Sequence, residues 1–546
     1  MPATRVTVAL NAKQSQRAPL LIPASAPPQQ LVFKTAQTKL RLKKPSRIFA
    51  AGTGAELLTE SDWTENLKDD VVLLVSAGEE YVGSKDKGER HPDANVDCAV
   101  TILAQNAPVE GLSVTQVTTT ARTLPGIIHA VGQPDLHPGT KFPIGAVFVS
   151  KRWVHPPLIG GDIGCGMAWY KTRLSRSQVD GDKGKKVAEK LRGLEGPWRT
   201  QADRVQWLQD DNGTYTAGVK WDASLGTIGA GNHFAELQVV ESSSPEVGLQ
   251  RDDVVLLVHS GSRGYGGSIL KKFTAESQTS LEQGSDAMQT YMIEHDRACQ
   301  WAKANRDLIA LRFLACLEPG EDAWVLGQNP PDASPIAEID EIYSARERVQ
   351  TRKFVDIWHN NVERVEWPPS PLQKSTTDVS ELKAKIGKLS LQSESGEGAQ
   401  DYVYIHRKGA APTYNPTTGL PLSILPLPGS RATPTMILKP TFSESTAWGA
   451  KNALSLAHGA GRAMSRAKAL SSLGQKYKTS NLLEPGSGNT DGTWVICDEK
   501  DLVFEEAPDA YKDVRAVAED LVREGVAEVV GWLRARVSYK VRNEAR

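Results

Sequence analysis

Gly160-Gly161-Asp162-Ile163-Gly164-Cys165-Gly166-Met167 is the stretch on which the reading of this chain turns. Four glycines in eight residues let the backbone take positive φ and approach a ligand with no Cβ in the way. Into that turn the sequence sets a carboxylate and a thiol three positions apart. A hard oxygen beside a soft sulfur, with imidazoles elsewhere, suits a divalent transition metal better than magnesium or calcium. Taken alone, the octapeptide is more simply a tight turn around a free cysteine packed as a small hydrophobe. Histidines downstream change that balance.

Four of the ten histidines stand in Gly-rich or polar settings. His233 lies in Gly229-Ala230-Gly231-Asn232-His233-Phe234-Ala235-Glu236, and His259 ends the apolar run Val254–Val258 before Ser260-Gly261-Ser262-Arg263-Gly264. His359 follows Phe354-Val355-Asp356-Ile357-Trp358 and precedes Asn360-Asn361, while His458 opens His458-Gly459-Ala460-Gly461-Arg462-Ala463-Met464-Ser465-Arg466. A strand running into a polar turn is a common mount for catalytic groups, because the scaffold holds the loop. Neutral imidazole, carboxylate and thiolate are ligands for manganese, zinc or iron. Spacing alone does not separate ligands from a nucleophile. The His458 segment adds Arg462, Ser465 and Arg466, donors suited to phosphate oxygens. Pro428-Gly429-Ser430-Arg431 and Arg407-Lys408-Gly409-Ala410 offer two further turns of that kind.

The rest of the composition bounds the answer. At 546 residues the chain has room for more than one domain. With 64 basic and 65 acidic residues it carries no global field toward nucleic acid, so any RNA contact must be local. Five scattered cysteines, none paired at a metal-ribbon spacing, point to a reducing compartment. No apolar run reaches the roughly 20 residues that span a bilayer. The N-terminus lacks a secretory signal pattern, though its acid-free, basic start leaves a transit peptide open. The expectation is an intracellular, cytoplasmic or nuclear, soluble protein with no membrane partner.

Residues 1–28, rich in Ala, Pro, Gln and Ser, read as a flexible lead. Residues 29–83 read as a small β-grasp-like module, faintly similar to ubiquitin-like or doublecortin-like domains: strands at Leu31-Val32-Phe33 and Thr38–Leu42, a helix at Glu56–Leu67, a strand at Val71–Val75. Its Lys39, Arg41, Lys43, Lys44 and Arg47 are read first as a solvated basic strand edge and second as a phosphate contact. Residues 84–106 read as a linker and 107–546 as the main domain. Helices are expected near Gln178–Leu191 and Gly284–Asn305, inserts at 318–337 and 368–400, and an amphipathic helix over Pro508–Leu533.

From about residue 108 to Lys540 the chain resembles the RtcB family of RNA-splicing ligases. The resemblance rests on Pro134-Asp135-Leu136-His137-Pro138-Gly139, Pro143-Ile144-Gly145, the opening octapeptide, the His233, His259 and His458 segments, His359-Asn360, His406-Arg407-Lys408-Gly409-Ala410, Pro428-Gly429-Ser430, and Glu506-Ala507-Pro508-Asp509-Ala510-Tyr511-Lys512. Within the family the chain resembles the branch coupled to release factor H. The resemblance implies an α+β fold of central stacked β-sheets flanked by helices. It implies manganese, two ions, on Asp162, Cys165, His233, His259 and His359, the thiolate able to bridge. It implies His458 as the nucleophile that takes GMP from GTP. The nucleotide would meet Asn232, His233, Phe234, Ala235, Glu236, His359, Asn360, Pro428, Gly429, Ser430, Arg431, Thr435, His458, Gly459, Ala460, Gly461 and Lys540. His137 matches a position near the site. Arg263 and Arg407 would hold RNA ends.

The implied activity joins 2′,3′-cyclic-phosphate or 3′-phosphate RNA ends to 5′-hydroxyl ends, as in tRNA splicing or RNA repair, with RNA as partner and an archease-like protein as activator. Oligomeric state is not indicated. One departure stands out: Arg431-Ala432-Thr433 follows Pro-Gly-Ser where the family usually has Met-Gly. A non-ligating RNA-end-binding protein and a metal-dependent phosphoesterase are the competing readings.

Overall fold

Two units, Met1–Asp93 and Ala94–Arg546, make up the chain. The computed structural model describes residues 4–541 except 15, 24, 52–53, 69–70, 82–92, 195, 212, 275–279, 329–336, 370–401, 416–418, 479 and 487–491.

In the first unit the strand Thr4–Leu10 pairs antiparallel with Arg17–Ile22 and parallel with Val71–Ser76, whose other neighbour is Arg47–Ala50. The described residues of 1–28 are therefore no flexible lead. They supply two of four strands, because Val6 and Val8 alternate with Arg5 and Thr7 and bury against Val32, Ala36 and Leu73. Leu31-Val32-Phe33 is helix rather than strand. Pro28 opens the helix Pro28–Thr38, and Val32, Thr35 and Ala36 fall on one face at i, i+3 and i+4. The expected strand at Thr38–Leu42 is instead the helix end and a turn, with Arg41 at φ 56°. The helix Glu60–Asn66 starts on a capping box between Thr59 and Asp62.

The second unit is mixed α/β. Its larger sheet runs Lys353–Trp358, Gly166–Ser175, Asp253–Ser260, Phe234–Ser243, Ala527–Tyr539, Thr435–Pro440, Leu425–Pro428, with Trp494–Ile496 also on Ala527–Tyr539. Successive residues of Gly166–Ser175 enter different cores. Ala168 and Tyr170 pack in one cluster with the 32-residue helix Asp286–Leu317, and Met167 and Trp169 in another with the helix Val514–Arg523. A strand covered on both faces reads as an unbroken apolar run. The second sheet runs Asn360–Glu366, Tyr402–Lys408, Ile144–Ser150, Ile127–His137, Ala99–Ile102.

Three further expectations are corrected. Ala99–Ile102, inside the supposed linker 84–106, pairs with Ile127–His137, so the unit begins at Ala94 and not at 107. The insert at 318–337 is partly packed: Trp324 is buried and donates to Glu318 Oε2 at 3.1 Å. The helix expected over Pro508–Leu533 ends at Arg523. Gly525 turns at φ 72° and Ala527–Tyr539 continues as a strand between two sheet neighbours. The insert at 368–400 lies almost entirely outside the described residues. Among the described residues, no helix is long and apolar enough to cross a membrane.

Candidate active site

Antiparallel register gathers the sequence motifs at one end of the larger sheet. His259 faces Met167 and Phe234 across its two neighbours, Trp358 faces Gly166, and Tyr539 faces Ala235. Strands that end there therefore deliver His259, His359 and Lys540 to strands that begin there, carrying Cys165 and His233. His359 is also the single residue between Lys353–Trp358 of one sheet and Asn360–Glu366 of the other. Its N–H donates to Cys165 O at 2.8 Å, and its carbonyl accepts from Gly409 N at 2.9 Å and Ala410 N at 3.2 Å.

The result is a buried thiol ringed by imidazoles. Cys165 Sγ lies 3.3 Å from His233 Nε2, 3.3 Å from His259 Nε2 and 3.1 Å from His359 Nε2. His259 Nε2 and His359 Nε2 are 3.2 Å apart, and His233 Nε2 is 2.8 Å from Asp162 Oδ2. His233 Nδ1–H donates to Ile228 O at 3.1 Å, which leaves the lone pair of a neutral ring on Nε2, facing the carboxylate and the thiol. Burial, then His233 and His458, hold His259 well below the usual histidine range, and burial, His458 and His259 do the same for His359. Burial and Asp162 push the thiol well above its ordinary value. Among the described residues Asp162 Oδ1 has no hydrogen-bond partner. Neutral imidazoles, a carboxylate and a thiol converging on one point fit a divalent transition metal, whose charge would also ionise the sulfur. Cys165, His233 and His259 offer ligand atoms within 4.8 Å of one another. All five expected ligands lie in this one contact network.

His458 stands beside it, its ring centroid 4.6 Å from that of His359. Asp135, fully buried, accepts from His458 Nδ1–H at 2.8 Å. A carboxylate oxygen can only accept, so the lone pair is on Nε2. Sequence reasoning assigned no role to Asp135, although it lies two positions from His137 in a quoted motif. His137 Nδ1–H donates to Asp135 O at 2.9 Å, and burial lowers that imidazole to about 4. Gly461, at φ 70°, passes so close that a Cβ there would meet Asp135 O at 2.2 Å.

Several of the expected nucleotide contacts adjoin the same cluster. Glu236 accepts from Gln238 Nε2 and Ser538 Oγ, both at 2.9 Å, and burial raises it to about 7 against those two bonds. Thr435 Oγ1 accepts from Gln238 at 2.8 Å. Lys540 Nζ donates to His233 O at 3.2 Å and lies 5.9 Å from the Phe234 ring, which stands edge-on to His259. Ala235 is buried between Val258 and Tyr539. Asn232 precedes them in the turn, half-buried. Asn360 Nδ2 donates to Asp162 O at 3.2 Å, and its Oδ1 accepts from Gly409 N at 2.8 Å. Ala460 N donates to Pro428 O at 2.9 Å, and a Cβ on Gly459 would stand 3.1 Å from that oxygen. Gly429 admits no side chain, because Thr433 Oγ1 occupies the space at 1.9 Å.

Two arginines behave differently from expectation. Arg431 turns inward: its guanidinium donates to Val503 O at 2.7 Å and Glu506 O at 3.3 Å, and Ser430 Oγ donates to the same Glu506 carbonyl at 3.0 Å. The departure from Met-Gly thus ties this loop to the 503–506 segment. Arg407, expected to hold RNA, is fully buried and paired with Glu363 at 2.6 Å, with Ser455 Oγ accepting at 2.8 Å, so it is a strut. Arg263 is half-buried, with NH1 1.5 Å from where a Gly229 Cβ would lie.

Two organising residues carried no assignment from sequence. Glu506 collects Arg462 at 3.1 Å, Arg466 at 3.4 Å and Lys540 at 3.5 Å. Arg306, mid-helix and fully buried, donates to Gly164 O at 3.0 Å and Ser260 O at 3.1 Å while pairing with Asp356 at 2.7 Å. It therefore braces the turn before Cys165 and the strands that carry His259 and lead into His359. Nothing in its helical neighbourhood announces this.

A family model described as tRNA-splicing ligase RtcB matches residues 116–212, 197–324 and 388–541. The chain is 34% identical over 450 residues to the RNA-splicing ligase RtcB2 of Escherichia coli, covering 81% of this chain and 96% of the relative. It is 25% identical over 487 residues to the RNA-splicing ligase RtcB homolog 1 of Entamoeba dispar, covering 78% and 81%. It is 25% identical over 453 residues to the tRNA-splicing ligase RtcB of Methanococcus maripaludis, covering 72% and 85%.

Proposed function

The chain belongs to the RtcB family of tRNA-splicing ligases, and from that membership we propose a GTP- and Mn(II)-dependent RNA ligase that joins 2′,3′-cyclic-phosphate or 3′-phosphate ends to 5′-hydroxyl ends through His458. The observation that carries the reading is the adjacency of an oriented imidazole to the thiol–imidazole cluster.

His458 Nε2 holds its lone pair because Asp135 fixes the proton on Nδ1. It attacks the α-phosphorus of GTP, forming a P–N bond as the bond to pyrophosphate breaks in line. Water opens a 2′,3′-cyclic phosphate to the 3′-phosphate, whose oxygen then takes GMP as the P–N bond to His458 breaks, and the 5′-hydroxyl oxygen of the second RNA attacks the activated phosphate and releases GMP. Manganese held by Asp162, Cys165, His233, His259 and His359 would supply charge neutralisation for the triphosphate. Glu236, raised by burial to about 7, would read the guanine edge or the ribose, and Lys540, which donates to His233 O, would hold the base or its surroundings. Arg466, its side chain half exposed and 3.4 Å from a Cβ position on Gly231, is placed to take a phosphate in the role expected of Arg407. An archease-like protein is the proposed activator of turnover.

Incubation with Mn(II) and α-labelled GTP tests the reading. A covalent label that resists alkali, yields to acid and disappears in a folded His458→Ala variant is expected. RNA binding without any adduct in the parent protein would support the non-ligating alternative, and RNA cleavage without adduct the phosphoesterase.

A further inference from the structure

The first acidic residue of the chain is Glu56, and nine Lys or Arg residues precede it. From Glu56 to Glu80 the balance inverts, to eight acids and one lysine. The first unit is thus strongly asymmetric in charge along its sequence, and several cations of the positive half make no ion pair among the described residues. Arg47 is bound to Glu56 at 2.7 Å and Glu80 at 2.6 Å. Lys34, Arg41, Lys43 and Lys44 are exposed and form no ion pair with a described residue. Lys39 reaches only Pro19 O, at 3.5 Å, on the edge strand Arg17–Ile22.

These five cations fall in one strip of chain, residues 34–44, that runs from the helix into the loop after it. The helix Pro28–Thr38 turns Val32, Thr35 and Ala36 inward, so Lys34 stands on its outer face. Lys39 follows as the helix ends, and Arg41, Lys43 and Lys44 line the loop to the next strand. A helix C-terminus favours one nearby cation, which accounts for Lys39 and not for the rest. Arg41 and Lys44 also take left-handed backbone, φ 56° and 53°. A turn with no task beyond reversal would use Gly or Asn there, because such a conformation costs a larger side chain about 1 kcal/mol. Strained positions of this kind cluster at ligand clamps. Leu40 and Leu42, between the cations, are half-buried against the module's core, so the stretch itself presents mainly charge.

We propose that this strip of the N-terminal unit binds the phosphate backbone of RNA through Lys34, Lys39, Arg41, Lys43 and Lys44, reading no base. The choice of RNA among polyanions rests on the RNA-ligase reading. Binding of this kind is electrostatic and raises the local concentration of RNA ends for the ligase unit of the same chain.

The test uses the full chain and a single-stranded RNA of about 20 nucleotides with 5′-phosphate and 3′-hydroxyl ends, which the ligase chemistry cannot join. In anisotropy titrations the variant K34Q/R41Q/K43Q/K44Q should flatten the slope of log affinity against log salt by about 3, four contacts at roughly 0.7 each, and weaken binding about 100-fold at physiological salt. Lys34→Glu alone, on the outer helix face, should flatten the slope by about 1. Lys34→Arg with Lys43→Arg should retain parent affinity. Labelling of His458 by GTP, measured on the same preparations, should be unchanged. Its absence in the parent would sink the ligase reading while leaving the RNA titration interpretable. Unchanged affinity and slope in the charge variants overturn the proposal. So does a variant that loses affinity for polyglutamate but not for RNA, which would mark a dock for acidic protein.

Discussion

In the ligase unit Arg306, Arg407 and Arg431 are buried and bound to carbonyls and carboxylates, whereas in the first unit Lys34, Arg41, Lys43 and Lys44 stand in water with no described anion beside them. The same formal charge does opposite jobs. A guanidinium presents five donors in a rigid fork and can satisfy several buried acceptors at once, so it serves as an internal brace. An exposed ammonium or guanidinium keeps its field available to a ligand and adds little to the fold. The lesson concerns substrate recognition: a Gly-rich turn next to arginine looks the same in sequence whether that arginine points to a phosphate or into the protein.

The contrast is broken most directly at Arg306. Arg306→Met leaves Asp356 buried beside Lys353 with its main partner gone, and should cost roughly 3–5 kcal/mol in urea unfolding. It should also weaken Mn(II) binding in titration calorimetry, since three ligand-bearing segments lose their brace. Unaltered stability and metal affinity would show that the guanidinium is no strut. Asp135→Asn sharpens the picture at the nucleophile. Guanylylation of His458 should slow about 100-fold, or ~2.7 kcal/mol, with Mn(II) affinity kept.

A smaller effect comes from His406. Its Nδ1–H donates to Phe148 O at 3.2 Å, its Nε2 accepts from His155 N at 2.9 Å, and burial lowers it to about 4. Below about pH 6.5 the unfolded chain takes up a proton that the folded one refuses, so stability falls with falling pH until about pH 4. The slope from this group should approach 1.4 kcal/mol per pH unit, and His406→Gln should flatten the pH dependence of the urea midpoint. Smallest of all, Lys43→Gln should move stability by less than about 0.5 kcal/mol. A larger loss would mean that the exposed strip is structural after all.

Much of the site was legible in the sequence because its ligands carry rare side chains in Gly-rich turns: Asp162, Cys165, His233, His259, His359 and His458 all meet in the fold. What was not legible depends on pairing across long stretches of chain. Asp135 is 323 positions from His458 and Glu506 is 34 from Lys540, and neither distance leaves a periodic trace. Arg306 sits in a stretch of helix, Asn305–Ala315, that is buried all round, so no face marks it out. In the first unit, composition misled. Ala, Pro, Gln and Ser around Val6 and Val8 suggested disorder, yet a strand needs only alternate apolar positions once a neighbour covers one face. The long C-terminal helix failed for the opposite reason: Val526 to Val530 keeps a hydrophobic texture across Gly525 while the period changes from 3.6 to 2.

His359 belongs to neither sheet, yet each begins or ends against it. The donor set is therefore complete only when both halves of the ligase unit have closed on the same residue. A partly folded chain would own Cys165, His233 and His259 without His359, so completeness of this donor set reports that the two sheets have met.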